Sequence, residues 1–565
     1  MESSGKLIYV FRKYPLLRWV LAFLIILIIV FSTIFYNINS KPVPVIDSIE
    51  PPVGAPGDIV LIKGSNFGSE KGLNYVEIAG DRLTRSSYIS WNDSCIKLVL
   101  PANIQDGLVF VGTKDRRSEP VLFANEVDIP IPVPTIHQVT KPVITSLSSS
   151  KLRIGDVLVI QGENFGESKN QSKVLFSIGY NDKVEDTNKY GSNMIPANEN
   201  DFDYISWTNT EIKVHVPDGA CSGNVIVDTG REYSDPKKII IDSSAGIKTF
   251  TNKKIYLIEY SADIDDIHSV NSEATMTLRC PVPYKTVSQP YVEITEVIPK
   301  PILTDYQNNL IHQVTNVQND TGKIVFKQSF VLPVYEINTS VKPGKLSSYK
   351  NTERNLLTKT VRADDLIPSD NEDVINLAYE ITGKQKNPYI QAEMIYNYMC
   401  DNYELISGIR KADMSSLDLI QYKKGDAYDF AIIYTALLRA CEIPAITNGG
   451  LLVSKDLKTQ PHWWCEFYID RVGWIPVDPA LGAGMEYGKW NDTDKEEDRA
   501  YYFGNMDSHH IIFSKGWNKL KPFSADNKIV QKPRSFALQS IWEEASANVM
   551  KYSSFWSVPV VKGIY

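Results

Sequence analysis

Apolar and polar residues alternate along most of the first 350 residues, which is the pattern of β-strands with one buried face. Residues 57–68 read GDIVLIKGSNFG, and residues 155–166 read GDVLVIQGENFG. A second match follows between YISWNDSCIKLVLP at 88–101 and YISWTNTEIKVHVP at 204–217. The wider spacing of the second match indicates an insertion in the second copy. This internal repeat predicts two antiparallel β-sandwiches.

The repeat places these two sandwiches at 42–133 and 141–243, and the alternating segments at 246–350 predict a third. Further along, the apolar positions recur every three to four residues, which predicts helices. Strand-like alternation returns in HWWCEFYIDRVGWIPVD, so we expect an α+β domain at 364–545 and a C-terminal tail at 546–565. The segment SFALQSIWEEASANVM, which leads into the tail, has helical spacing and predicts a last helix.

A membrane-spanning helix is predicted near the N-terminus. Residues 19–36 follow Arg18 without a charged residue, and this length of apolar chain spans a bilayer. The preceding segment, 1–18, is basic, so the positive-inside rule places it in the cytoplasm and the bulk of the chain outside the cytoplasm. A cleaved signal peptide is the alternative, although no small-x-small cleavage site follows the apolar run. We therefore expect a single-pass membrane protein.

Length, charge and cysteine content restrict the function further. A chain of 565 residues exceeds what one hydrophobic core organises. The formal net charge is −8, and because residues 1–18 are basic, the remainder is more acidic still, which disfavours nucleic acid as a partner. The six cysteines lack the spacing of metal sites or disulfide frameworks, and there is no phosphate-binding Gly-rich loop. We therefore predict no metal and no other cofactor.

The two repeats share an Asn-Phe-Gly turn after a buried strand and a Tyr-Ile-Ser-Trp segment before the next. With these motifs both copies resemble IPT/TIG immunoglobulin-like domains. The resemblance implies spacer or adhesive modules, and binding of a partner protein or a glycan is the alternative. DNA binding, known for some relatives, would require a basic face that the charge does not suggest.

The first candidate for chemistry is the start of a predicted helix. Asp426 is suited to cap a helix that begins at Ala427, and apolar residues follow in one stripe as far as Cys441. A helix N-terminus favours a thiolate, because its dipole and its unpaired N–H groups stabilise negative charge. A core helix with this stripe needs no catalytic purpose, so the position alone decides nothing.

The second candidate is the strand that begins near His462. Period-two geometry puts His462, Trp464 and Glu466 on one face of this strand and Cys465 on the other. A hairpin then carries Asp478 back alongside the strand, although sequence does not fix the register. An imidazole held by a carboxylate is the orienting half of a nucleophilic triad, but such a pair across a hairpin is more often structural.

A glycine before the helix, the segment LLRACEIPA, the His-x-Trp-x-Glu strand and the returning GWIPVD together resemble the transglutaminase-like superfamily, which has a papain-like core. The resemblance implies that His462 is the general base, that Asp478 orients it, and that Trp464 and Glu466 are binding residues. It also places Ala427 where the family has its nucleophilic cysteine. A methyl group cannot attack an acyl carbon, so Cys–His acyl transfer requires another nucleophile.

Other groups are weak substitutes for this cysteine. Cys441 lies on the same helix, roughly 21 Å further along its axis at 1.5 Å per residue. Cys465 points to the opposite face of the strand. Cys400 belongs to another predicted helix, and sequence does not determine its distance from the imidazole. Asp426 and Asp429 could form an acid/base pair with the imidazole, but a helix cap and a solvated side chain explain them equally well.

Three functions are compatible with these observations. The favoured one is a membrane-tethered pseudoenzyme whose cleft binds a peptide, a cell-wall stem or a partner protein without turnover. The second is an active cysteine-type acyltransferase or peptidase, which requires that Ala427 be an engineered substitution or that the site use other chemistry. The third is a structural or adhesive stalk of sandwiches that carries an inert globular head.

Overall fold

A computed structural model describes residues 27, 42–84, 87–101, 104–113, 116–125, 140–180, 193–270, 274–317, 322–346 and 355–565. The predicted cytoplasmic segment 1–18 and the predicted transmembrane helix 19–36 lie outside the described residues, apart from residue 27. Within the described ranges, no helix combines the length and the apolar composition that a membrane crossing requires. The chain forms two compact units, one with the first repeat and the other with the residues from 130 onwards.

The first unit is a β-sandwich. Its strands are β1 (Val45–Glu50), β2 (Val53–Gly54), β3 (Ile59–Ser65), β4 (Tyr75–Ile78), β5 (Asp81–Arg82), β6 (Tyr88–Trp91), β7 (Cys95–Val99), β8 (Gly107–Gly112) and β9 (Val121–Asn125). One sheet has the order β1-β3-β7-β6, and the other has the order β2-β9-β8-β4-β5. Alternate residues of β3, Val60 and Ile62, point into the core, as the period-two pattern predicts.

The second repeat forms the same sandwich in the other unit. Its strands are β10 (Val143–Leu147), β11 (Lys151–Leu152), β12 (Val157–Glu163), β13 (Lys173–Ile178), β14 (Met194–Pro196), β15 (Tyr204–Trp207), β16 (Glu211–His215), β17 (Ala220–Asp228) and β18 (Lys237–Ile241). The sheet orders, β10-β12-β16-β15 and β11-β18-β17-β13-β14, reproduce those of the first repeat. The Asn-Phe-Gly turns are equivalent too, because Trp91 Nε1 donates to Phe67 O and Trp207 Nε1 donates to Phe165 O.

The region predicted as a third sandwich begins with two long paired strands. It contains β19 (Gly246–Ser269), β20 (Ala274–Pro281), β21 (Glu293–Ile298), β22 (Asn309–Val317) and β23 (Ile324–Val341), followed by a 3-10 turn at Pro343–Lys345. Strands β19 and β23 pair antiparallel along nearly their whole length. Their buried faces hold aromatic residues such as Tyr256, Tyr260 and Phe330.

The α+β domain follows. Its helices are α1 (Asn355–Val361), α2 (Glu372–Thr382), α3 (Pro388–Asn402), α4 (Asp418–Tyr422), α5 (Ala427–Ala440), α6 (Pro479–Gly482) and α7 (Lys495–Tyr501). Its strands are β24 (Glu404–Leu405), β25 (Lys424–Gly425), β26 (Ala445–Val453), β27 (Thr459–Ile469), β28 (Gly473–Val477) and β29 (His510–Lys515), and four of them form a sheet in the order β28-β27-β26-β29. Helix α5 is buried over almost its whole length and packs on one face of β27, which contributes Trp463, Cys465 and Phe467.

The C-terminal residues return to the third sandwich. They form β30 (Lys528–Val530), β31 (Glu543–Ala545), β32 (Val549–Trp556) and β33 (Val560–Ile564). Strands β32 and β33 pair with β19, and β31 pairs with β20. The segment 546–565, predicted as a tail, therefore completes this sandwich. The helix predicted just before it is wrong, because bends and strand β31 take its place, and Phe536, Trp542 and Ala545 reach the sandwich core from this non-helical chain.

Candidate active site

The start of helix α5 is fixed by two carboxylates. Asp426 caps the helix: its Oδ1 accepts from Asp429 N at 3.0 Å, and Asp429 Oδ2 accepts from Asp426 N at 3.1 Å, which is a complete capping box. Gly425 precedes the cap, and any side chain there would collide with Asp429. Ala427 is thus the first helical residue, with 8% of its surface exposed.

Two arginines pair with this cap, and one of them, Arg410, is shared with the carboxylate of Asp418. Arg534 donates to both oxygens of Asp426 at 2.8 and 3.0 Å and to Asp429 Oδ1 at 2.8 Å. Arg410 donates to Asp429 Oδ2 at 2.7 Å. Burial disfavours the Asp429 carboxylate, but the guanidinium groups outweigh burial and lower the pKa of Asp429. These two aspartates therefore pair with arginines and do not form an acid/base pair with His462.

The imidazole and the carboxylate expected from the hairpin are in contact. His462 Nε2 lies 2.5 Å from Asp478 Oδ2, and both side chains are fully buried. Asp478 Oδ1 caps helix α6 by accepting from Ala480 N and Leu481 N. Burial alone would raise the pKa of Asp478, but the adjacent imidazoles outweigh burial and lower it far below its usual range.

The second ring nitrogen of His462 has no partner in this pair. Asp478 accepts a hydrogen bond, so Nε2 carries the proton and Nδ1 of a neutral ring is an acceptor. Nδ1 is buried and has no hydrogen-bond partner among the described residues. A buried polar atom without a partner is unusual in a native structure, so Nδ1 is the candidate atom of this pair for contact with a bound molecule.

A second histidine, which sequence reasoning missed, extends the pair. His510 Nε2 lies 3.2 Å from Asp478 Oδ2, and its Nδ1 lies 2.8 Å from Asp507 Oδ1. Burial disfavours the imidazolium, but the carboxylates of Asp507 and Asp478 outweigh burial and raise the pKa of His510 to about 9. In the sequence, an aspartate three residues before a histidine, Asp507 and His510, indicates a possible local pair. The pairing of β29 with β26, which sequence does not reveal, brings this pair beside Asp478.

The strand order explains this arrangement. Gly450 of β26 pairs with His462 of β27 on one side and with Ile512 of β29 on the other. A side chain at Gly450 would approach the indole of Trp464, whose ring lies 5.1 Å from the His510 ring. The absence of a side chain at Gly450 thus lets the Ile511 backbone and the Trp464 indole approach β26 closely.

His462, Asp478 and His510 also offer ligand atoms within 4.8 Å of one another, so we tested whether they fit a metal ion. Two atoms bound to one zinc ion with bonds of about 2.0–2.1 Å in tetrahedral geometry lie about 3.3 Å apart. The separation of 2.5 Å between His462 Nε2 and Asp478 Oδ2 is a hydrogen-bond distance. At these distances the three side chains form a hydrogen-bonded array.

A cleft of about 1090 Å³ opens above these groups. Ala427 and His462 both line it, so the structure brings together the helix start and the imidazole that the sequence singled out. The lining also includes the segment from Cys400 to Ile409, residues 460–463 and residues 483–486. The cleft is large enough for several residues of a ligand chain.

Trp464 and Glu466, expected to bind a ligand, do not line this cleft. Trp464 packs beside His510 in a core that includes the second sandwich, and Glu466 forms an ion pair with Lys515 at 2.7 Å. The period-two prediction correctly put both on the face of His462. That face is covered over most of its length, and only its first residues reach the cleft.

Cysteines do not replace the nucleophile. Cys400 lines the cleft, but burial raises the pKa of its thiol to about 12, which keeps the thiol neutral. Cys465 donates to Ala431 O at 3.1 Å on the helix side of β27, as the strand period predicts. Cys441 lies at the far end of α5, within 3.8 Å of Thr382.

Comparison with known proteins identifies two families within the chain. Residues 375–479 match the family model described as the transglutaminase-like superfamily. Residues 44–124 match the model of the IPT/TIG domain. The resemblances inferred from the motifs are confirmed for the first repeat and for the α+β domain, and the chain is multidomain and mostly β, with an IPT/TIG domain before a transglutaminase-like domain.

Individual relatives are distant. An uncharacterised protein of Haemophilus influenzae is 25% identical over 162 residues, which cover 24% of this chain and 44% of the relative. A proposed cysteine protease from Cytophaga hutchinsonii is 18% identical, with a TM-score of 0.34, over 56% of this chain and 91% of that one. The periplasmic domain of TgpA from Pseudomonas aeruginosa bound to ethylmercury is 12% identical, with a TM-score of 0.22, over 40% of this chain and 89% of that one. These TM-scores are too low to transfer a function.

Proposed function

We propose that the transglutaminase-like domain is a pseudoenzyme that binds an extended peptide or peptide-like chain and does not turn it over. One observation carries the proposal: at the base of the cleft, the methyl group of Ala427 occupies the helix start at which this family has its nucleophile, while His462 and Asp478 keep their contact. Binding needs the cleft and the imidazole, whereas covalent acyl transfer needs a thiolate as well.

The free edge of β27 supports a peptide as the ligand. Tyr468 N–H donates to Pro444 O on the β26 side, so even-numbered residues of β27 turn their backbone groups to β26 and odd-numbered residues turn theirs away. Strand β28 covers only Cys465 to Ile469. Pro461 C=O and both backbone groups of Trp463 therefore have no strand partner within the described ranges. An extended chain can pair with such an edge through main-chain hydrogen bonds.

The setting of the cleft is part of the proposal. The apolar segment 19–36 would anchor the chain in a membrane, with the sandwiches and the cleft outside the cytoplasm. The two IPT/TIG-like sandwiches would then separate the membrane segment from the cleft-bearing domain along the chain. Cell-wall stems and secreted or surface proteins are the peptide sources in that location.

The test uses the full chain and a library of N-acetylated hexapeptides, with bound peptides identified by mass spectrometry. Ala427→Trp fills the base of the cleft and should reduce retention of the bound peptides at least tenfold. Ala500→Trp places the same side chain on an exposed position of α7, outside the cleft, and should leave retention unchanged. Equal retention by wild type and Ala427→Trp would favour the stalk interpretation.

Turnover is measured in parallel. We expect no hydrolysis or amine incorporation by the native chain, and we expect activity from Ala427→Cys, because the imidazole is already oriented by Asp478. Peptide turnover by the native chain that disappears in His462→Gln would refute the pseudoenzyme proposal and favour the active alternative.

A further inference from the structure

The turn of the β27–β28 hairpin, which does not line the cleft, lies against the second sandwich. We propose that Asp218 and Lys248, which meet the hairpin at this turn, are positioning residues for the contact between His462 and Asp478. The second sandwich is then a fixed part of the candidate active site and not only a spacer along the chain. This role goes beyond the proposed function, since it does not depend on which ligand the cleft binds.

Asp218 brings the second sandwich into contact with the hairpin. It lies in the turn between β16 and β17, and its side chain is 8% exposed. Gly473, the first residue of β28, has a φ of 97°, and a Cβ atom there would lie 1.9 Å from Asp218 Oδ1. Glycine is the residue that permits both this conformation and this approach. The backbone of the hairpin therefore packs directly against the Asp218 carboxylate.

Lys248 of strand β19 connects this carboxylate to the hairpin. Its Nζ donates to Asp218 Oδ1 at 2.7 Å, to Asp218 Oδ2 at 2.9 Å, and to the backbone oxygen of Trp474. These three acceptors match the three donors of an ammonium group. The Lys248 side chain is 4% exposed, so water screens the ion pair little. One ion pair thus joins the second sandwich, the third sandwich and strand β28.

Strand β28 depends on this support because it is the last strand of its sheet. The outer side of its far end is held by residues 502–504, which form backbone hydrogen bonds of 2.9 and 3.0 Å with Pro476 and Asp478. Lys248 takes the backbone oxygen of Trp474, two residues before Pro476 on the same side of the strand. Lys248 therefore holds the half of β28 that no further strand covers within the described ranges.

The position of β28 determines the geometry of the pair at the cleft. His462 belongs to β27, which pairs with β26 over nearly its whole length and is therefore fixed from that side. Asp478 directly follows β28, which pairs with β27 only from Cys465 to Ile469. A shift of β28 relative to β27 therefore moves the carboxylate of Asp478 while His462 stays in place. The hydrogen bond of 2.5 Å between them leaves little room for such a shift.

An aromatic cluster at the same turn is a second contact between the sandwich and the hairpin. Tyr468 and Trp474 pair across the hairpin, and their rings lie 5.5 Å apart. Phe202 of the second sandwich packs against this cluster. The ammonium group of Lys515 lies 4.8 Å from the Trp474 ring centroid. The second sandwich thus meets the hairpin through both an ion pair and apolar packing, which makes it a firm support.

Proton NMR of the full-length protein tests this role through the hydrogen bond between His462 and Asp478. The proton of a short imidazole–carboxylate hydrogen bond resonates at low field, and His462→Gln identifies the signal by removing it. The double variant Asp218→Asn/Lys248→Met leaves no unpaired charge buried at the joint. We expect this variant to keep the circular dichroism of the wild type and to lose the low-field signal.

A second measurement uses the reactivity of a thiol at the helix start. In the Ala427→Cys background, the double variant should react with iodoacetamide about tenfold more slowly at neutral pH. A displaced Asp478 no longer orients the imidazole that takes the thiol proton. The matched control is Lys141→Met, which breaks an exposed pair with Asp235 in the same sandwich. It should change neither the low-field signal nor the alkylation rate.

The two measurements distinguish positioning from stabilisation alone. A folded double variant that keeps both the low-field signal and the alkylation rate would overturn the positioning role. Equal losses in Lys141→Met would overturn it as well, because that pair is remote from the hairpin. If the double variant does not fold, the single variant Asp218→Asn, which keeps an oxygen for Lys248, takes its place. Its signal should weaken and its alkylation rate should fall about threefold, and wild-type values would overturn the role.

Discussion

The protonated state of His510 should make the stability of the transglutaminase-like domain depend on pH. Each ring nitrogen of His510 faces a carboxylate, Asp507 at 2.8 Å and Asp478 at 3.2 Å, so both nitrogens must donate and the ring must be an imidazolium. Burial opposes this charge, but the two carboxylates outweigh burial and raise the pKa of His510 from 6.5 to about 9.

The sign and the size follow from linkage. A group whose pKa is raised by folding stabilises the folded state fully below its unfolded pKa, here about 6.5, and this contribution is lost as the pH rises through about 9. At 1.36 kcal/mol per unit of pKa, the difference corresponds to about 3 kcal/mol. The pKa values of Asp478 and Asp507 are lowered, and burial lowers that of His509 to about 4, so these groups titrate below this window.

Urea unfolding of the full chain, followed by tryptophan fluorescence between pH 6 and pH 10, measures the effect. The free energy of unfolding of the transition that includes Trp464 and Trp463 should fall by about 3 kcal/mol across the range in wild type. His510→Gln keeps a neutral donor and cannot titrate, so its unfolding should lack this fall. His268→Gln, at an exposed histidine, serves as the control and should behave as wild type. Identical slopes in wild type and His510→Gln would refute the imidazolium assignment.

Three further changes test other parts of the site. Arg534→Met leaves the buried carboxylates of Asp426 and Asp429 without their main partner and should lower the free energy of unfolding in urea by about 3–5 kcal/mol. The control Lys519→Met breaks an exposed pair with Asp365 and should lower it by about 0–1 kcal/mol. Equal losses in the two variants would contradict the cap assignment. Gly450→Ala would overlap the backbone oxygen of Ile511 and should cost about 2 kcal/mol or more, while Gly344→Ala meets open space and should be near neutral; a neutral Gly450→Ala would contradict the close strand packing. Ala427→Cys should become reactive toward iodoacetamide at neutral pH in a His462-dependent way, because a thiol at the helix start would lose its proton readily; an unreactive thiol would show that His462 does not reach this position.

The elements with strong local patterns are the ones that sequence predicted correctly. The repeated strands, the capped helix at Ala427 and the His462 hairpin each have a periodicity or a turn that fixes them locally. The C-terminal strands do not, because the apolar residues of 535–550 have helical spacing, whereas β31 and β32 are held by pairing with β20 and β19, more than 260 residues earlier in the chain. Sequence separation of this size leaves no local signal.

The candidate site shows the same division. His462 and Asp478 belong to the two strands of one hairpin, so their proximity could be predicted from the sequence. His510 belongs to the site because β26 lies between β27 and β29 in the sheet. Trp464 does not line the cleft because residues of the second sandwich cover its face of the strand. Both placements depend on packing between segments that are distant in the chain, and neither hydrophobic periodicity nor a local motif predicts such packing.

The geometry of this site does not depend on the side chain at position 427. The helix start is fixed by the reciprocal bonds of Asp426 and Asp429 and by Arg534, none of which involves Ala427. The orientation of His462 depends on Asp478, which the backbone N–H groups of α6 and the imidazole of His510 hold in turn. An alanine at the helix start therefore removes the nucleophile without loosening its surroundings. The same independence allows Ala427→Cys to test the chemistry of the cleft without rebuilding it.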